Sequence, residues 1–210
     1  MAAVVADQDS LPGETLLAGP ASQEERPDGR NEEIVDLMVA YQSGDELAFE
    51  KLYALLAGPV VGYLRSLTRD QARAEDLLQE TFYNVHRARH TWDRTRSAKA
   101  WVYAIAHNVF LMSARAAKRR GKREEQAPDE LPDVPVPPEV EALADRQAVR
   151  KALAQLPGDR REAIVLHHVG GLSFKEVGSV QGVTTMAAKL RAHRGMVELR
   201  ELLGGYRRRA

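Results

Sequence analysis

Apolar residues recur at helical spacing along most of this chain, and the pattern predicts helices throughout. From Asn31, a candidate N-cap, Ile34, Leu37, Met38 and Tyr41 share one face up to the Ser43-Gly44 break. Asp45 opens a longer helix carrying Leu47, Ala48, Phe49, Leu52, Tyr53, Leu55 and Leu56. Gly58-Pro59 is expected to kink or interrupt it before Val60, Tyr63, Leu64 and Leu67. Behind Asp70 as N-cap, Ala74, Leu77, Leu78, Thr81, Phe82 and Val85 form a third stripe that ends near Arg89. His90 to Ser97 is a short polar connection. Ser97 caps a fourth helix whose core stripe is read as Trp101, Ile105 and Met112, with Gly121 as its stop.

A second helical set starts at Val140 and rises through Leu143, Ala144, Val149 and Leu153 to the Leu156-Pro157-Gly158 stop. Asp159 is expected to cap the next helix, with Ala163, Ile164 and Leu166 apolar, up to Gly170-Gly171. Ser173-Phe174-Lys175-Glu176 matches a capping box that opens a short helix through Val180. Gln181-Gly182-Val183 is a tight turn, and Thr184 caps a basic helix from Thr185 to about Leu203. A short helix, a glycine turn and a basic second helix make a helix-turn-helix signature, in which the second helix reads base edges in the major groove. A plain helical hairpin is the alternative.

Between the sets, residues 122–139 hold five prolines among acids and read as an extended, self-repelling linker. Residues 1–30 lack periodicity and read as a disordered extension. The expected architecture is therefore all-α. Two small helical domains, 31–121 and 140–205, flank the linker at 122–139, and a basic tail follows at 206–210.

Charge is balanced overall, 30 basic against 30 acidic residues, but segregated along the chain. Glu124 to Asp145 carries eight acids and no base, Leu111 to Arg123 six bases and no acid, and Lys189 to Arg209 seven bases and two acids. Such blocks create local fields that attract partners of opposite sign. The acidic block either folds back on the basic regions or is a plain spacer. There is no cysteine, which excludes disulfides and thiolate metal sites and fits a reducing compartment. No secretory leader is recognised and no apolar run is judged long enough to span a membrane, so a cytoplasmic protein without membrane insertion is expected.

Two polar faces stand out. On the third helix Asp76, Gln79, Glu80 and Tyr83 fall at i, i+3, i+4 and i+7, either as a solvated face or as a dock for a basic partner. On the fourth, Tyr103, His107, Asn108 and Arg115 lie off the apolar stripe, where aromatic, amide and cationic groups can stack on bases and track phosphates. An ordinary surface is the other reading. His167 and His168 are adjacent and point about 100° apart on a helix, which suits a structural role rather than chelation. No metal-ligand cluster, phosphate loop or nucleophile-base pair is found, so neither catalysis nor a cofactor is expected.

In order along the chain, AEDLLQETFYNVHR, AKAWVYAIAHNVF, the acidic linker, ALAQLPGDRREAIVLHHVGGLSFKEVG and the basic helix resemble the extracytoplasmic function sigma factors of bacterial RNA polymerase, in the sigma-70 family. The resemblance covers about 31–120 and 140–203. It implies that Asp76, Gln79, Glu80 and Tyr83 meet the coiled-coil clamp helices of the polymerase beta-prime subunit, with Phe82 turned inward. It implies −10 promoter recognition and melting by the loop His90 to Ser97 and the helix after it. There Trp92 and His107 would stack, Asn108 would pair with a base edge, and Arg94, Arg96 and Arg115 would hold phosphates. It implies −35 binding through Lys175, Thr184, Thr185, Met186, Lys189, Arg191 and Arg194, and an anti-sigma factor as regulatory partner. The chain departs from the family at Met186-Ala187-Ala188-Lys189, where Gly-Thr-Val-Lys is usual, at Gln181 in place of leucine, and at Ala192 in place of a bulky aliphatic. The alternative function is a helix-turn-helix regulator that does not bind polymerase.

Overall fold

The computed structural model of the chain describes residues 29–119, 121 and 143–207, and the side chains of 31–119, 121 and 147–204. The expectations for the N-terminal extension, the acidic linker and the basic tail beyond Arg207 lie outside these residues.

The described chain is built of helices, with no strand among the described residues. They are α1 (Gly29–Gln42), α2 (Glu46–Thr68), α3 (Gln71–Ala88), α4 (Ala98–Arg119), α5 (Leu143–Gln155), α6 (Gly158–Ile164), α7 (Phe174–Gln181) and α8 (Thr185–Arg207). A short 3-10 turn, Arg89–Thr91, follows α3, and a π-helical segment, Val165–Val169, prolongs α6.

Local chemistry fixes most helix starts. Asp45 accepts the backbone N–H groups of Leu47 and Ala48, and Asp70 that of Arg73. Ser97 accepts from Ala100, and Thr184 from Ala187. Each bond satisfies a donor that the first helical turn leaves unpaired. Asp159 is a correction: α6 starts at Gly158 with Pro157 at the cap position and no side-chain cap. The Asp159 carboxylate instead lies 3.3 Å from Arg191 Nε. Pro59 does not interrupt α2, because Leu56 before it and Val60, Tyr63 and Leu64 after it are buried in the same core. α2 is also long and apolar enough to cross a membrane by length and composition, which corrects the expectation that no run reaches that length. Its buried face is core-forming.

α2 packs against α1, α3 and α4, and α8 against α5, α6 and α7. The two helical sets also meet, α4 on α7 and α2 on α6 and the π segment. One apolar cluster runs through the contact, from Met38, Leu52, Tyr63, Phe82 and Val102 to Leu166, Leu172, Val177 and Ala192. A smaller one, Ala152, Leu156, Ile164 and Leu199, joins α5, α6 and α8.

Candidate nucleic-acid interface

α3 is amphipathic to an unusual degree of separation. Ala74, Leu77, Leu78, Thr81, Phe82 and Val85 are buried, with the Phe82 ring packed edge-on against Tyr53 and Phe49. Asp76, Gln79, Glu80 and Tyr83 are exposed on the other side, Tyr83 at 60 %. The Arg87 guanidinium sits 5.7 Å from the Tyr83 ring centre, a cation–π contact at one end of the stripe. The result is an exposed carboxylate-amide-phenol surface on a helix seated by its buried face.

The loop after α3 corrects one expectation. Trp92 does not face solvent to stack on bases; it is 4 % exposed, and its indole Nε1 donates to the Arg96 carbonyl at 3.1 Å. A large ring gains more from burial than from exposure, so Trp92 serves as the pillar of the loop. Gln42 Nε2 donates to the Arg89 and Trp92 carbonyls at 2.6 and 2.9 Å. Asp93 Oδ1 accepts the Thr95 backbone N–H at 2.9 Å. Hydrogen bonds from Thr95 hold the Asp93 carboxyl below its ordinary pKa. Arg94, Thr95 and Arg96 point outward from this ordered backbone.

α4 corrects another. Its buried residues are Ala98, Val102, Tyr103, Ala106 and Val109, whereas Met112 is 52 % exposed and Trp101 and Ile105 are half-buried. The core stripe is thus rotated from the expected one, because the face bearing Tyr103 and His107 is covered by the second helical set. The Tyr63 and Tyr103 rings meet edge-on. His107 Nδ1 donates to Glu162 Oε1 at 2.7 Å, and the Tyr63 hydroxyl donates to the same oxygen at 2.6 Å. Gln181 Nε2 donates to Glu162 Oε2 at 2.9 Å. Burial raises the Glu162 carboxyl pKa, but the hydrogen bond and charge of His107, with the bonds from Tyr63 and Gln181, leave it below the ordinary carboxylate value. Burial, followed by the Glu162 charge, pushes the Tyr63 phenol well up. Asn108 and Arg115 remain exposed.

In the second set the capping box is present in both directions: Ser173 Oγ accepts from Glu176 N, and Glu176 Oε2 accepts from Ser173 N. Gly182 closes α7 in the left-handed region, at φ 66°, where glycine is at no disadvantage. Lys175, Thr184, Thr185, Lys189 and Arg194 are exposed, as is Met186 at 73 %. Arg191 is not free for phosphate. Its Nη1 donates to Gln181 Oε1 at 3.2 Å, and its Nε faces Asp159. His167 Nδ1 donates to the Leu172 carbonyl and its ring stacks on Phe174, and no group of three metal-ligating residues forms among the described residues.

Sequence reasoning missed Tyr63, Glu162 and Gln181 as one polar cluster. Gln181 was visible as a polar residue at the turn of the helix-turn-helix. Glu162 carried no signal, since its partners on α2 and α4 are distant in sequence.

Comparison with known proteins bears on both helical sets. Residues 52–120 match the family model of sigma-70 region 2, and residues 146–199 that of sigma-70 region 4. An RNA polymerase sigma factor, CarQ of Myxococcus xanthus, is 40% identical over 80% of this chain and 95% of its own length. The ECF RNA polymerase sigma factor SigF of Caulobacter vibrioides is 34% identical over 79% of this chain and 90% of its own. Among solved structures, the sigma factor RpoE of Bartonella quintana, in complex with the anti-sigma factor NepR, has a TM-score of 0.62 and 27% identity. That match covers 74% of this chain and 96% of that one. An exposed acidic stripe on a region 2 helix, a region 4 helix-turn-helix and relatives matched over nearly their whole length place this chain among the extracytoplasmic function sigma factors.

Proposed function

We propose that this sigma factor, which directs RNA polymerase to promoters, divides the work among three surfaces. Asp76, Gln79, Glu80 and Tyr83 bind the clamp helices of the polymerase core. Arg94, Arg96, Asn108 and Arg115, with His107 once it is uncovered, engage the −10 strand, while Trp92 shapes the loop from within. Lys175, Thr184, Thr185, Met186, Lys189 and Arg194 hold the −35 duplex, where Met186 offers an apolar contact suited to a thymine methyl. Arg191 braces the reading helix. The cytoplasm, where polymerase works, is the place of action, and an anti-sigma factor such as the one bound to the Bartonella relative is a fitting regulator.

The observation that carries this reading is the α3 stripe, exposed on a helix whose opposite face is fully buried. A regulator that used only its helix-turn-helix would have no need of it. Asp76→Ala combined with Glu80→Lys should leave helical content and the melting temperature unchanged and abolish holoenzyme formation on size-exclusion chromatography with core polymerase. Undiminished core binding by the double variant would favour the polymerase-independent regulator instead.

A further inference from the structure

We propose that Gln42 is a positioning residue for base capture, setting the loop backbone from the end of α1; this rests on the reading that the loop takes a −10 base. Its amide has two N–H donors and uses both, on the carbonyls of Arg89 and Trp92. Trp92 Nε1 adds a third anchor on the Arg96 carbonyl. The backbone is thereby held at 89, 92 and 96, and the side chains of Arg94, Thr95 and Arg96 are presented outward. Glutamate at 42 would set a carboxylate against two carbonyls, and leucine would take the side-chain donor from the Trp92 carbonyl and leave the Arg89 carbonyl with the Trp92 backbone N–H alone.

The test is base preference at the captured −10 position, measured by promoter opening with holoenzyme on templates carrying each of the four bases. Gln42→Glu should lower discrimination about tenfold, with core affinity unchanged, and Gln42→Leu should do likewise. Retained preference, or an equal loss on all four templates, would overturn the positioning role. Thr95→Ala and Arg96→Ala separate the two layers of the argument. If they too leave preference untouched, the loop does not read a base and the Gln42 proposal falls with that reading. If they change it while the Gln42 variants do not, only the positioning role fails.

A different observation carries a second inference: the structure assigns Glu162 as an interdomain latch that masks the −10 surface of the free protein. Glu162, on α6, is 7 % exposed and accepts from Tyr63 on α2, His107 on α4 and Gln181 on α7. A buried carboxylate is tolerable only with such partners, and two of its three lie in the other helical set. Gln181 links the cluster onward to Arg191 of the reading helix. Arg69, beyond the end of α2, also donates to the Ala154 carbonyl of α5. While closed, His107 is spent on Glu162 and α7 covers its face of α4, so the second domain must swing away before that face can meet DNA.

Because the chain has no cysteine, dyes can be placed on cysteines introduced at the exposed Ala72 and Ser179 of the full-length protein. Glu162→Ala should lower energy transfer in free protein and raise its affinity for single-stranded −10 DNA about tenfold. Tyr63→Phe removes the hydroxyl's bonds to Glu162 and His107 Nδ1 while keeping the ring, and should move both readouts the same way by less. If Glu162→Ala does not fold, Tyr63→Phe alone decides. Wild-type transfer in the folded variants would overturn the latch, and lowered transfer with unchanged DNA affinity would overturn the masking.

Discussion

Whether a side chain on a helix meets core, solvent or partner depends on what lies across from it, and Tyr103 and Trp92 show how far a local pattern can decide this. Both are buried, although Trp92 is expected from the resemblance to stack on a base and the helical pattern leaves Tyr103 open between base stacking and an ordinary surface. The α3 stripe was legible because both of its faces are complete within one helix: five apolar residues and Thr81 buried on one side and the carboxylate-amide-phenol set on the other. On α4 the deciding neighbour is Glu162, 55 residues from His107, and no periodicity reports a partner at that distance. Arg191 is a similar case. Its charge was visible, but its engagement by Asp159 and Gln181 was not. If Lys189 and Arg194 each neutralise a phosphate, replacing either with alanine should flatten the log-log salt slope for −35 duplex binding by about 0.9. Arg191→Ala should leave that slope unchanged and lower the melting temperature. Titrations of the full-length variants over a salt series check both statements.

At the scale of elements, caps and turns were the most readable features, because their chemistry lies within four residues. Asp45, Asp70, Ser97, Ser173 with Glu176, and Thr184 all cap as expected, whereas Asn31 is not a cap, because α1 already starts at Gly29, and Asp159 does not cap α6. The π segment after α6 was not readable; the Gly170 N–H bonds to the Val165 carbonyl, in a segment that packs against α2. In the helix-turn-helix, Gly178 matters for space. A Cβ there would lie 2.8 Å from the Val183 carbonyl oxygen and 3.3 Å from the Thr184 carbonyl carbon. Alanine gains about 0.5–1 kcal/mol over glycine inside a helix, but overpacking against a backbone costs about 1–3 kcal/mol. The clash wins, because a turn cannot move aside as a flexible side chain can. Gly178→Ala should therefore lower the melting temperature and weaken −35 binding, whereas the same change at the unobstructed Gly58 should raise it. Calorimetry of the two variants side by side gives opposite signs if spacing is the cause.

For the molecule as a whole, the chain closes its two helical sets over a shared apolar cluster, with Glu162 bonded to both sets at the contact. That closure has a pH signature whose sign follows from the carboxyl. Its pKa is held below the ordinary value by His107, Tyr63 and Gln181 against the opposing effect of burial. A group whose folded pKa lies below its unfolded one contributes stability that is fully present above the unfolded value, about 4.3 for glutamate, and lost as pH falls through the folded value. Closure should therefore hold from neutrality down to about pH 5 and weaken below about pH 4. Other carboxylates titrate in the same range, so the dye-labelled Glu162→Gln protein is the proper comparator. It should start with lower energy transfer at neutral pH and lose less on acidification, the two curves drawing together as the native carboxyl takes up its proton. A constant gap between the curves at every pH would mean that the shape of the side chain, and not its charge, holds the domains together.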